Sequence, residues 1–178
     1  MDSLDSLDIE EYRQLRATIR ERGSLRVVLF LVTLVTWAGI AGLVAAFLSL
    51  PIASLLSLIV LTGGFEAVHA LHVGVERIGR YLYVRYESGS ARPMWEGAVA
   101  GFGAGHRPST RPSDALFSLL FSLAILANFL VATLGATMPE LVGLGAVHVL
   151  AIVRVLIAKR AASGQRAEDQ RRFEEVLK

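Results

Sequence analysis

The chain has no cysteine among its 178 residues. That removes disulfides, thiolate metal sites, iron–sulfur clusters and Cys-linked lipids from the candidate chemistry. It has only two lysines against sixteen arginines, a codon-usage bias that points to a bacterial source. Charge is scarce as well: 19% of residues are charged, where soluble domains carry about 25%. The formal net charge of +2 gives no basis for a nucleic-acid partner, and none is expected. Residues 1–26 alternate acidic and basic side chains and lack the apolar core and small-residue cleavage site of a secretory signal. No cleavable leader is therefore expected. Also missing are a nucleophile beside a base, a second Glu-x-x-His and a DNA-binding module, so the chain is not expected to be an enzyme.

What the sequence has in excess is apolar length. Hydrophobic residues make up 53% of it, and the mean hydropathy is +0.52. A helix crossing a bilayer needs roughly 20 mostly apolar residues, because each rises about 1.5 Å through a core about 30 Å thick. Four stretches satisfy this: Val27–Leu48, Pro51–Val73, Ala115–Leu134 and Leu141–Ala158, the last carrying Arg154. Two short turns, Ser49-Leu50-Pro51 and Thr137-Met138-Pro139, each put a proline where a helix begins. Proline suits that position, since its fixed φ is helical and the N–H it lacks would be unpaired there.

Arginine sets the orientation. Five precede the first span, six lie between spans two and three, and basic residues follow span four, while neither short turn has any. Basic residues collect on the cytoplasmic side of short loops. The expected fold is an all-α integral membrane protein with four transmembrane helices in two helical hairpins, both termini cytoplasmic, in a bacterial inner membrane. Residues 1–26 form a cytoplasmic or interfacial amphipathic helix, with Asp8 and Glu11 as a capping box and Tyr12, Leu15 and Ile19 on one face. Residues 27–87 make the first hairpin and a cytoplasmic extension of helix two, where Tyr81, Tyr83 and Tyr86 suit an interfacial belt. Residues 88–113 form a Gly/Pro/Ser-rich loop, with Ser113 or Asp114 capping the next helix. Residues 114–159 make the second hairpin. Residues 160–178 add a charged cytoplasmic helix after a break at Ser163-Gly164. The glycines of Gly101–Gly105 follow no strand and open no helix, so they read as linker rather than as a phosphate cradle.

Polar residues inside the apolar runs are the candidate site. Glu66, His69, His72, Glu76 and Arg80 fall on one helical stripe. Glu76 and Arg80 read as side chains snorkelling where the helix leaves the bilayer. Glu66 lies fifteen residues beyond Pro51, and Arg154 fifteen beyond Pro139. Both charges are therefore expected at one level, about 22 Å from the outer turns, paired because a lone charge there is costly. Thr33 and Ser118 fall near the same level, giving a cluster of Glu66, His69, His72, Arg154, Thr33 and Ser118. No cofactor is expected. The alternatives are a single metal at Glu66 and His69, or a haem or flat pigment ligated by His148, beside small Gly143, Gly145 and Ala146, or by His69. Small residues spaced by four (Ala38, Gly42 and Ala46) form a seam for close helix approach, and Asn128 can add an interhelical hydrogen bond.

The functional expectation is a non-catalytic structural or accessory subunit that assembles with itself or with a larger membrane complex. The alternatives are an ion or proton channel or transporter using Glu66, His69, His72 and Arg154, and a cofactor- or pigment-bearing subunit of a respiratory or photosynthetic complex.

Overall fold

A computed structural model describes residues 2–47, 50–88, 95 and 112–177. Among these the chain is almost entirely helical and contains no strand. Helix α1 runs Asp2–Phe47, 46 residues. A 3-10 turn, Pro51–Ala53, leads into α2, Ser54–Leu82, which passes into a π-helical segment, Tyr83–Glu87. Helix α3 runs Pro112–Ala132 and α4 runs Met138–Val176. Three of the helical stretches, Ser6–Phe47, Pro51–Glu87 and Met138–Val176, are long and apolar enough to cross a membrane, and Leu116–Ala132 is a shorter apolar helix.

The helix ends differ from expectation in two places. Asp8 does not cap a helix, because α1 already begins at Asp2; its carboxylate faces Arg85 at 3.5 Å. No break occurs at Ser163-Gly164, since α4 continues to Val176. A single glycine costs a helix only about 1 kcal/mol against alanine. The divisions expected after residues 26 and 159 fall inside continuous helices, at or within one residue of the boundaries of two compact units, after Arg26 and after Arg160. The loop of 89–111 with its Gly101–Gly105 run, apart from Trp95, Ser49 of the first turn, and the Ser113 and Asp114 side chains lie outside the described residues.

The chain divides into two compact units. One comprises residues 27–69 and 111–160. Phe30, Leu61, Phe65, Phe121, Ile125 and Val155 are buried in its core. Phe121 meets Phe30 at 5.5 Å and Phe65 at 5.4 Å, both edge to face, an arrangement worth about 0.5–1.5 kcal/mol beyond burial. At Gly64 of α2 the approach of α1 is close: a Cβ added there would collide with the Thr33 side chain. Large apolar side chains of this unit are exposed, among them Val35, Leu43, Leu56, Ile59 and Leu150.

The other unit comprises residues 1–26, 70–110 and 161–178, and ions and phenols hold it together. In the π-helical turn, whose bonds run i to i+5, Ser88 N–H donates to the Tyr83 carbonyl. Tyr81 and Tyr86, five apart, both donate to Glu11, at 2.8 and 2.6 Å. In a regular α-helix residues five apart point to different sides; the wider turn lets both phenols reach one carboxylate. Arg16 donates to the buried Glu87 at 3.2 Å.

Candidate functional site

Within the first unit, Glu66 and Arg154 are joined as their shared level predicts. Arg154 Nε lies 2.8 Å from Glu66 Oε1, and its Nη2 donates to Oε2 at 2.8 Å. The pair is a two-pronged fork of the strong, orienting kind. Its location is less expected: the two side chains are 52% and 44% exposed, on the outside of the bundle rather than within it. His69 stacks on Phe65, with the rings 5.6 Å apart and nearly parallel. Thr33 gives its hydroxyl to the Leu29 carbonyl at 2.7 Å, and Ser118 accepts on its carbonyl from Ser122 at 2.8 Å. Neither side chain joins the Glu66–Arg154 pair.

The interior of this unit holds a different polar centre. Asn128 of α3 is fully buried. Its Oδ1 accepts from Trp37 Nε1 of α1 at 3.1 Å and from Ser57 Oγ of α2 at 2.5 Å. Its Nδ2 donates to the Ser54 carbonyl at 3.1 Å and lies 3.0 Å from His148 Nε2 of α4. An amide nitrogen has only protons to give, so His148 Nε2 is the acceptor and the ring proton sits on Nδ1. That proton goes to the Leu144 carbonyl at 2.7 Å. One side chain thus ties four helices with every polar valence used, the condition under which a buried polar network is tolerated.

In this arrangement both ring nitrogens of His148, named above as a possible ligand, are hydrogen-bonded within the bundle. The Phe129 ring lies 5.3 Å from the His148 ring, and a Cβ on Gly145 would already touch Phe129 at 3.6 Å. Of the three small residues beside His148, Gly145 faces the Phe129 ring, while Gly143 and Ala146 are exposed.

His72, Glu76 and Arg80 belong to the second unit. Arg26 Nη1 donates to His72 Nδ1 at 2.7 Å, because a guanidinium has no acceptor. The His72 proton is then on Nε2, which faces Glu76 Oε1 at 3.8 Å. Glu76 and Arg80 do not snorkel into solvent as expected. Both side chains are largely buried, and Glu76 takes Arg166 at 2.9 Å and Arg80 at 3.3 Å. Arg80 in turn bonds Asp169 at 2.9 Å, with Arg77 at 3.3 Å.

Two carboxylates of this unit, Asp169 and Glu11, lie outside the apolar runs, and their pKa values shift. Burial alone would push the Asp169 carboxyl up, but the bonds and charges of Arg80 and Arg77 outweigh it and hold the group below the usual aspartate range. Hydrogen bonds from Tyr86 and Tyr81 hold Glu11 below the usual glutamate range.

The expected six-residue cluster is therefore divided. Glu66 pairs with Arg154, His69 rests on an aromatic ring, and His72 joins an arginine–carboxylate network. Among the described residues no group of three or more His, Asp or Glu side chains gathers as a metal site. Ala38, Gly42 and Ala46 are all exposed on α1, and a Cβ on Gly42 would meet nothing within 4 Å. This seam does not pack inside the bundle. Sequence reasoning missed Ser54, Ser57, Trp37, Arg26, Arg166 and Asp169. For Ser57 a partial signal was present: it lies six residues past Pro51, against nine past Pro139 for His148, an offset of about 4.5 Å. Compared with protein-family models, with curated proteins and with solved structures, the chain matches none.

Proposed function

We propose that this chain is a four-span protein of a bacterial inner membrane, with both termini in the cytoplasm, acting as a non-catalytic subunit of a membrane assembly. The observation that carries this reading is the outward position of Ala38, Gly42 and Ala46. In lipid there is no hydrophobic drive between helices, so association depends on close packing, and rows of small residues permit it. A helix face meant only for lipid has no need of such a row. The inward face of α1 is already supplied by Phe30, Thr33, Ala41 and Val44, all buried, so the seam is available to another chain.

The membrane setting is supported by the apolar exterior and by the distribution of arginine, present in every long segment and absent from both short turns. A contiguous apolar exterior of this kind would be an aggregation liability in water. The fourth span of this reading is α3, whose 21 residues rise about 31 Å, sufficient for the hydrocarbon core.

The test is to extract the protein in mild detergent, then record the mass of the particle and its visible spectrum. A colourless particle heavier than one chain in its detergent micelle supports the reading. A single chain that carries an ion or proton flux when reconstituted replaces it with transport, and a coloured particle replaces it with a cofactor carrier.

A further inference from the structure

The Glu66–Arg154 pair sits in the wrong surroundings for a finished surface. Both residues lie inside apolar runs, and both side chains are about half exposed. Exposed Ala67 adjoins Glu66, and exposed Val153 and Ile157 flank Arg154. Ionisable groups at membrane depth face protein or water rather than lipid. Glu66 uses one lone pair on each oxygen for Arg154, and Arg154 uses two of its five N–H donors. The unused acceptors and donors therefore lie side by side on one patch at one level.

We propose that this patch binds a second copy of the same chain, about a two-fold axis along the membrane normal. The inference rests on the membrane-assembly reading above and names one partner of that assembly. Its argument is charge complementarity under symmetry. Copies inserted by one positive-inside rule have one orientation, so a two-fold that brings them face to face must keep every residue at its own depth. Such an axis places Glu66 of each copy against Arg154 of the other. Two in-chain pairs then close into a neutral ring of four charges, with no partner of different sequence required. Gly63 and Ala67, spaced by four, are both exposed on α2 in the stripe beside Glu66, and a Cβ on Gly63 would meet nothing within 4 Å. They let the two α2 backbones approach closely enough for the ring to form.

The chain's lack of cysteine makes the test clean. A single Ala67→Cys variant, oxidised in native membranes, forms a disulfide-linked dimer, whereas Leu123→Cys, on an exposed face of α3, does not. Gly63→Leu introduced into the Ala67→Cys chain lowers cross-linking by roughly tenfold or more without disturbing the fold, because its side chain enters space that only the second copy fills. Glu66→Arg and Arg154→Glu chains, each carrying Ala67→Cys, fail to cross-link alone, since like charges then meet. Co-expressed, they cross-link as mixed dimers only, which also shows that both variants fold. Two results overturn the proposal. If the particle is multimeric but Ala67→Cys never cross-links, the ring is wrong and the assembly reading stands. If the particle is a single chain, both fall.

Discussion

Asn128 Nδ2 and His148 Nε2 lie 3.0 Å apart in the interior of the apolar bundle, and that contact fixes which nitrogen of His148 carries the proton. With Trp37, Ser57 and the Ser54 carbonyl also on Asn128, one amide satisfies groups from three other helices. Asn128→Ala removes that amide and strands them. Leaving buried polar groups unpaired costs about 1–3 kcal/mol. The midpoint of unfolding in detergent should fall accordingly. An unchanged midpoint would mean that these groups find water or other partners without Asn128.

The Thr33–Gly64 contact predicts a steric effect. Gly64→Leu forces α1 and α2 apart, because even a Cβ at Gly64 collides with Thr33. The folded yield should drop, and Thr33→Gly in the same chain should recover part of it by vacating the space. Full tolerance of Gly64→Leu alone would place the α1–α2 contact elsewhere.

Neutralising one member of the Glu66–Arg154 fork leaves the other charge in an apolar setting, at a cost of about 2.5–3.5 kcal/mol on insertion scales. Glu66→Gln and Arg154→Gln should each destabilise the protein more than the double substitution does. Two amides can still hydrogen-bond between α2 and α4. The discriminating quantity is the coupling energy from a double-mutant cycle in detergent. A coupling near zero would mean that the fork contributes nothing to the fold.

Asp169 gives a pH dependence of known sign. Its folded pKa is depressed, so its contribution is present above the unfolded value, about 3.9, and is lost as pH falls through the lower folded value. Hydrogen exchange of amides around Asp169 and Arg80 should therefore lose protection, once corrected for intrinsic rates, as pH falls below about 4. Asp169→Asn should show reduced protection at neutral pH and a weaker acid response. An identical acid response in the variant would assign the effect to another carboxylate, with Glu11 the next to examine.

The sequence disclosed levels better than faces. Counting residues from Pro51 and Pro139 brought Glu66 and Arg154 together, because rise per residue is nearly invariant in a helix. Counting does not report which way a side chain points. The spacing of Ala38, Gly42 and Ala46 marked a seam without saying whether it faced inward or outward, and Gly42 is exposed, while Gly64 receives α1. The contact of His148 with Asn128 was not legible, because the two lie on different helices and no local spacing connects them. The capping box at Asp8 and the break at Gly164 failed for a related reason: a local end signal worth about 1 kcal/mol yields to flanking segments that continue as helix. The arginine network of Glu76 and Asp169 was invisible because its carboxylates lie far apart in the sequence and share no period.

The central claim is that the exposed Ala38-Gly42-Ala46 seam docks another chain in the membrane. It is tested most directly by the native mass of particles extracted in lipid nanodiscs, wild type against Gly42→Leu. Each chain contributes 19.3 kDa. A leucine at Gly42 meets nothing inside its own chain, so the helical content and folded yield of the variant should match wild type while its particle loses mass. Equal masses for the two proteins, with the fold intact in both, would contradict the account.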